Sequence, residues 1–98
     1  MKLDYTFIKE ILLTMENYDK HEIENLELMK MLNITAENED KFIGHIFVIG
    51  DNGFIDYSHN NYPYGFAKIS GCEGYQIIND EYRITAQGYE FLELRKEV

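Results

Sequence analysis

The stretch that most restricts the fold is residues 37–55, ENEDKFIGHIFVIGDNGFI. Along it the spacing of the apolar residues changes from that of a helix to that of a strand. Its regularly spaced residues share one face of a 3.6-residue helix: Phe42, Ile43, Ile46, Ile49 and Gly50. Gly53 supplies the left-handed residue with which helices often end, and residues 54–59 then alternate as a strand. We therefore expect a helix that is capped by Thr35, packs one face on a core and leads into a sheet.

An amphipathic helix is predicted near the start of the chain, from Tyr5 to Tyr18. Its apolar positions fall on one arc of the helical wheel: Leu3, Phe7, Ile8, Ile11, Leu12, Met15 and Tyr18. The Asp4 carboxylate is placed to accept a hydrogen bond from the amides at the start of this helix. Leu3 and Ile8 then occupy the two positions of a hydrophobic staple, which sets how the chain enters the helix.

A shorter second helix follows, for which Asn25 is a candidate cap and Asn33 a candidate stop. Its apolar residues are Leu26, Met29 and Leu32. Ile23 is expected in a short strand just before it. The second and third helices, joined by Asn33-Ile34-Thr35, have the shape of a helix-turn-helix.

The last forty residues predict two strands around a long loop, followed by a helix. The second strand is Tyr82–Thr85, and the loop over residues 60–80, rich in Gly, Asn and Tyr, is expected to hold one extra short strand. Thr85 caps the last helix, with Tyr89 and Leu92 facing inward. The element order predicts one α+β domain over residues 1–98, a winged helix-turn-helix with a long wing and an added C-terminal helix.

The net charge of the chain indicates which classes of partner are favoured. Eighteen acidic residues against nine basic ones give a net charge of -9, so phosphate backbones and anionic membranes are repelled and a basic protein is favoured. Cys72 is the single cysteine, which excludes an internal disulfide framework and a multi-thiolate zinc site. Neither a signal-peptide pattern nor about eighteen consecutive apolar residues are present, so we expect a cytoplasmic protein without membrane contact.

Three stretches carry a resemblance to a known family: LDYTFIKEILLTME, FIGHIFVIGDNGFI and YRITAQGYEFLELR. Their shared features are a histidine in the central helix, a glycine-hydrophobic turn and a patterned ending, here His45, Gly53-Phe54-Ile55 and Thr85, Gly88, Tyr89, Phe91 and Leu92. Together they resemble a bacterial and phage-associated family catalogued as domain of unknown function 2513. Ala86 stands where that family has a bulky residue, often Trp. The resemblance implies a winged-helix fold carried by a phage or other mobile element, and it brings no established activity or catalytic residues.

The third helix is predicted to have an acidic face opposite its apolar one. The outward residues are Glu37, Asp40, Lys41, Gly44, Val48 and Asp51. A helix that reads DNA enters the major groove, and Lys and Arg supply most of the sequence-independent affinity. Three acids and one base do the reverse, so we predict that this face binds a protein.

Two alternatives stay open for the same helix. A run of charges is often only a solvated face that binds nothing. A dimeric transcriptional regulator that binds duplex DNA is the other alternative, in which Arg83, Arg95 and Lys96 of two chains meet at one surface.

Aromatic side chains crowd into or beside the predicted wing: Tyr57, Tyr62, Tyr64, Phe66 and Tyr75. Tyrosine is enriched at interface hot spots because it offers a large rigid body with one polar tip. Tyr62 and Tyr64 flank Pro63 in a turn-rich stretch, so we expect both to be exposed and, with Phe66, to contact the partner. The alternative is that several of these rings fold back onto a small core.

No residue set predicts catalysis, a cofactor or a metal site. His21, His45 and His59 lie in different elements without metal-ligand spacing, and His45, on the edge of an apolar arc, is expected to be a hydrogen-bonded structural residue. Cys72 with His59 forms the one candidate nucleophile–base pair, without an orienting third residue. We therefore expect a non-enzymatic protein that inhibits or modulates a basic, nucleic-acid-processing protein, in the manner of an anti-defence inhibitor or a toxin immunity protein.

Overall fold

The computed structural model describes residues 1–58, 61–68, 70, 71 and 74–95. Within these residues four helices and five short strands form a mixed α+β fold. In chain order they are α1 (Tyr5–Glu16), β1 (Ile23–Glu24), α2 (Asn25–Met31), α3 (Glu39–Asp51), β2 (Ile55–Tyr57), β3 (Phe66–Lys68), β4 (Tyr75–Ile77), β5 (Glu81–Ile84) and α4 (Ala86–Arg95). The antiparallel strands β1, β5 and β2 form one sheet in that order, and β3 and β4 form a separate antiparallel hairpin.

The predicted start of α1 is confirmed, and its end lies earlier than predicted. The Asp4 carboxylate accepts a hydrogen bond from the Phe7 amide at 3.0 Å, as expected of an N-cap. The helix ends at Glu16, so Tyr18 lies beyond it. The residues that α1 buries belong to the predicted apolar arc: Ile8, Ile11, Leu12 and Met15.

Left-handed residues end both α2 and α3, as the sequence predicts. Asn33 has a φ of 57° and Gly53 a φ of 74°. After each helix, two amides donate back to carbonyls of its last turn: Asn33 to Lys30, Ile34 to Met29, Gly53 to Gly50 and Phe54 to Ile49. These bonds satisfy carbonyls that the helix itself leaves free, and they turn the chain sharply at both positions.

The prediction that Thr35 caps α3 is wrong. The helix begins only at Glu39, because the Asn38 side chain captures the Thr35 amide at 2.6 Å and closes a turn of its own. The Asn38 amide also donates to the Thr35 carbonyl at 3.2 Å. The link between α2 and α3 is therefore longer than the three residues predicted.

Asn25 is a buried connector and not the simple cap that its position predicts. It is the first residue of α2 and has no exposed surface. Its side-chain NH₂ donates to the carbonyls of Ile78 at 2.8 Å and Tyr64 at 3.3 Å. Its side-chain oxygen accepts from the amides of Leu26 at 2.8 Å and Asp80 at 3.3 Å. All four hydrogen-bonding positions of one amide group are thus used to join three segments of the chain.

The sheet has one apolar and one charged face. Ile23 lies opposite Tyr82, and Ile55 lies opposite Ile84, on the face that meets the helices. The core between the helices and this face consists of apolar residues, among them Leu28, Phe42, Ile43, Ile46, Ile49 and Leu92. The predicted apolar face of α3 and the predicted strand at Ile23 are confirmed.

In α4 one predicted feature is confirmed and one is wrong. The Thr85 hydroxyl accepts from the Gly88 amide at 3.1 Å, so Thr85 is the cap. Leu92 is fully buried, but Tyr89 is exposed. Gly88 and Leu92 form the inward stripe, and Tyr89 lies about 100° around the helix from Gly88, which turns its ring toward solvent.

The segment predicted as a loop with one extra strand contains a complete hairpin. A short 3-10 turn at Pro63–Gly65 leads into β3, whose Phe66 pairs with Ile77 of β4. The Phe66 ring lies 5.6 Å from the ring of Phe47 on α3. The β3–β4 hairpin therefore packs against α3 instead of extending away from it.

Replacing the connector tests how much of the fold depends on it. We expect Asn25→Ala to reduce the free energy of unfolding by about 3 kcal/mol, because it leaves buried carbonyls and amides without partners. Urea unfolding followed by circular dichroism measures the loss. Asn17→Ala, at the exposed end of α1, is the matched control and should change stability by no more than about 0.5 kcal/mol. Equal effects of the two substitutions would contradict a special role for Asn25.

Candidate protein-binding face

The outer face of α3 is acidic, and most of its carboxylates are exposed. Glu37, in the turn before the helix, is exposed, as are Asp40 and Asp51. Glu39 and Asp40 lie in the first turn, where carboxylates complement the positive end of the helix dipole. This explains why acids suit the start of the helix but not why bases are scarce along the rest of the face.

The one base of this face, Lys41, is already paired. Its Nζ lies 2.8 Å from Oδ2 of Asp4 and 4.9 Å from the centroid of the Phe7 ring. The hydrogen bond from Lys41, together with that from the Phe7 amide, holds the pKa of the Asp4 carboxyl below its ordinary value. Lys41 therefore offsets a carboxylate of the N-terminal segment and not an acid of α3.

Residues 1–4 lie across the middle of the same face. The Asp4 amide donates to Nε2 of His45 at 2.9 Å, and Nδ1 of His45 lies 2.7 Å from the Lys41 carbonyl. A side chain at Gly44 would press on the sulfur of Met1, so the two residues are in contact. The N-terminal segment thus covers the centre of the outer face of α3.

His45 is a structural residue, as predicted. It is fully buried, and its ring lies edge-on to Phe7 at 5.3 Å. Both ring nitrogens therefore have a backbone partner, which explains how a polar ring is accommodated in the core.

Of the three aromatic residues predicted to contact a partner, the structure exposes Tyr62 only. Tyr64 is 9% exposed, so its predicted exposure is wrong, and Phe66, predicted to contact the partner, is buried at 3% exposure. The Tyr64 ring lies 4.5 Å from that of Tyr57, and its hydroxyl lies over Gly50, where any side chain would overlap it. These rings fold back onto α3 because the small core has room for them.

The backbone at Tyr64 shows how firmly this ring is held. Tyr64 has a φ of 61°, a left-handed conformation that costs a non-glycine residue energy. Its carbonyl accepts from the hydroxyl of Tyr82 at 2.5 Å and from Asn25 at 3.3 Å. Burial raises the pKa of both the Tyr64 and Tyr82 hydroxyls.

An aromatic residue that the sequence placed in the loop borders the acidic face instead. A cleft of about 320 Å³ separates the start of α3 from β4 and is lined by Ala36, Glu39, Asp40, Gly74 and Tyr75. Tyr75 is partly exposed and lies 5.9 Å from the Phe47 ring. The acidic face therefore continues to the ring of Tyr75. Only the pairing of β3 with β4 brings this ring to α3, so periodicity along one segment could not find it.

The outer face of the sheet is the second acidic surface. Glu24 of β1 lies directly opposite Glu81 of β5, and Glu22 shares a hydrogen bond with Glu81. Arg83 lies opposite Asp56 and is paired with it at 2.8 Å. Arg83, one of the three bases proposed to form a DNA-binding patch, is thus offset by a carboxylate.

Arg95 and Lys96 are the other two bases of the predicted DNA-binding patch. The Arg95 guanidinium stacks over the Phe91 ring at 4.1 Å, at the end of α4. Lys96 lies outside the described residues, as do Cys72 and His59, the candidate nucleophile–base pair. In the part of the chain that the structure describes, no group of three or more His, Cys, Asp or Glu residues is arranged to hold a metal ion.

None of the described helices has the length and apolar character needed to cross a membrane. No protein-family model, curated protein or solved structure matches the chain. The resemblance to domain of unknown function 2513 therefore stays a prediction.

The carboxyl cluster on the sheet predicts a pH dependence of stability. The pKa of Glu81 is raised above 4.5. The main cause is Glu22, through a hydrogen bond and its charge, and burial and the charge of Glu24 add to it. The folded chain therefore holds this proton more tightly than the unfolded chain, and stability is lost as pH rises from 4.5 through the raised pKa. We expect Glu81→Gln to raise the melting temperature at neutral pH and to leave it unchanged in acid.

Thermal unfolding at about pH 4 and about pH 7 checks this expectation, because the two values bracket the loss of the proton. Glu90→Gln, on the exposed face of α4, removes the same charge away from the cluster and should give no such pH-dependent gain. A gain from Glu81→Gln that is equal at both pH values would contradict the shared-proton explanation.

Proposed function

We propose that the chain is a winged helix-turn-helix domain that binds a basic protein through α3 and is not an enzyme. The order of helices and strands and the sheet order β1-β5-β2 support this fold, with α2 and α3 as the helix pair and the β3–β4 hairpin as an extension of the wing. In this fold α3 occupies the position of the helix that enters the DNA major groove.

One observation carries the proposal: α3 presents acids without a free base. Glu37, Asp40 and Asp51 are exposed, and Lys41 is already held by Asp4. A DNA-binding helix gains most of its affinity by neutralising phosphates with Lys and Arg. Here the acids would repel the phosphates, and no base on this face is available to offset them.

The N-terminal segment adds a steric argument to the electrostatic one. A helix reads DNA by placing its outer face against base edges in the major groove. On this helix Met1 lies against Gly44, the residue at the middle of that face. Residues 1–4 would therefore have to leave α3 before it could enter a groove, which would break the bonds from Asp4 to Lys41 and His45.

A basic protein partner is attracted by the acids, and it can bind the exposed carboxylates while residues 1–4 stay on α3. Channels that bind nucleic acids are lined with bases, and their field attracts an acidic protein and speeds its association. Tyr75 gives one edge of the acidic face apolar contact area, which suits a protein interface. The chemistry therefore fits a basic, nucleic-acid-processing partner such as a nuclease or a toxin, whose channel the domain would occupy and inhibit. The resemblance to a phage-associated family fits an anti-defence inhibitor or an immunity protein.

Capture of partners from host lysate, with and without nuclease treatment, tests this function. We expect a basic nucleic-acid-processing protein that remains bound after nuclease treatment and is released by added duplex DNA, because both compete for the same channel. Loss of all partners with the nucleic acid would overturn the proposal. So would direct binding of duplex DNA whose affinity falls steeply as salt rises.

Reversal of charge on α3 tests which surface is responsible. We expect the triple substitution Glu37→Lys, Asp40→Lys and Asp51→Lys to weaken binding of the captured protein at least about tenfold, since close charge pairs at interfaces couple by about 1.5–7 kcal/mol. Titration calorimetry with the purified partner measures the change.

The matched control makes the same change of charge elsewhere, with Asp19→Lys, Glu27→Lys and Glu90→Lys. It should bind the partner nearly as well as the original chain if the site is local. Equal weakening by both triple variants would mean that net charge alone drives binding and that α3 is not the site.

A further inference from the structure

A groove between α1 and α4 carries apolar surface that none of the described residues covers. Its volume is about 360 Å³, and it is lined by Tyr5, Thr6, Lys9, Leu94 and Arg95. Tyr5 is 62% exposed and Leu94 is 67% exposed. An exposed aromatic ring beside an exposed leucine is a common feature of surfaces that bind another protein.

The groove continues along the whole outer side of α1. A neighbouring depression of about 400 Å³ shares Thr6 and Lys9 with it and extends through Leu13 to Asn17. Apart from Lys9 and Glu10, the side chains that line this second depression carry no charge. The two depressions together form one surface, which we call the α1–α4 face.

This face differs in charge from the rest of the molecule. Among the described residues that line it, the bases are Lys9 and Arg95, and the one acid is Glu10. Lys9 donates to the Arg95 carbonyl at 3.2 Å, and among the described residues no carboxylate forms an ion pair with either base. Three other clefts, on the sheet and at the start of α3, each carry more acids than bases.

We propose that the α1–α4 face is a two-fold interface between two copies of this chain. Two molecules that each carry a charge of -9 repel one another, so contact is least costly where the local charge is not negative. In a two-fold interface, residue i meets j while j meets i. Lys9 and Glu10, which are adjacent on α1, therefore form two reciprocal ion pairs when the axis passes beside them.

The apolar residues of the face fit the same arrangement. With the axis near Lys9, the exposed Tyr5 and Leu94 of each copy lie over the outer side of α1 in the other copy, where Leu13 is partly exposed. The acidic face of α3 stays free, because α3 packs beside the Phe7 side of α1 and α4 beside the Lys9 side. The dimer is therefore independent of the partner binding proposed for α3.

A charge-swap experiment tests the interface. Lys9→Glu alone places two acids against each other at both pairs, and Glu10→Lys alone places two bases together. We expect each variant to raise the dimer dissociation constant at least about tenfold, because like charges at an interface are costly. An equimolar mixture of the two variants should associate again, since every pair is then of opposite charge. Sedimentation velocity over a concentration series measures all three samples.

Two further variants keep the test decisive. Lys30→Glu, at an exposed base of α2, makes the same change of charge as Lys9→Glu and should dimerise like the original chain. Leu94→Ser removes exposed apolar surface without changing charge and should weaken the dimer. An original chain that stays monomeric up to about 1 mM would overturn the proposal. So would charge variants that dimerise unchanged, or a mixture that fails to associate.

Discussion

The hydrogen bonds of the buried Asn25 amide are the interaction on which the rest of the fold depends. They hold the carbonyl of Tyr64, the carbonyl of Ile78 and the amide of Asp80 around the start of α2. Gly65 sits in this junction with a φ of 80°, and a side chain there would overlap the Ile78 carbonyl. A buried side-chain amide with all of its hydrogen bonds formed contributes little net stability. It favours one arrangement of these segments, because any other arrangement leaves buried polar groups unpaired.

The acidic face follows from this junction. Since the turn at Tyr64 is held against β5, the β3–β4 hairpin is directed back over α3, and Phe66 packs on Phe47. The Tyr64 and Phe66 side chains are thereby used inside the fold. Across the middle of α3, Asp4 pairs with Lys41. The part of the face that remains exposed carries acids without free bases, so both its shape and its charge come from contacts made elsewhere.

The two proposed interaction surfaces are complementary in kind. The α3 face is acidic and suits a basic partner, whereas the α1–α4 face is the part of the described surface where bases outnumber acids. Two copies joined through the second surface would present two acidic faces at once. A partner with two basic sites would then be held far more tightly than by one copy, provided that the geometry allows both contacts.

The sequence by itself determined the features that depend on near neighbours along the chain: the buried faces of α1 and α3, the left-handed stops at Asn33 and Gly53, the caps Asp4 and Thr85, and the acidic side of α3. Periodicity and local hydrogen bonding decide these features, so a single segment contains the information. Only the tertiary structure decided that Tyr64 and Phe66 are buried, that Lys41 is paired and that the wing holds a hairpin on α3. Each of these depends on side chains that are far apart in the chain, and only the packing of the whole core brings them together.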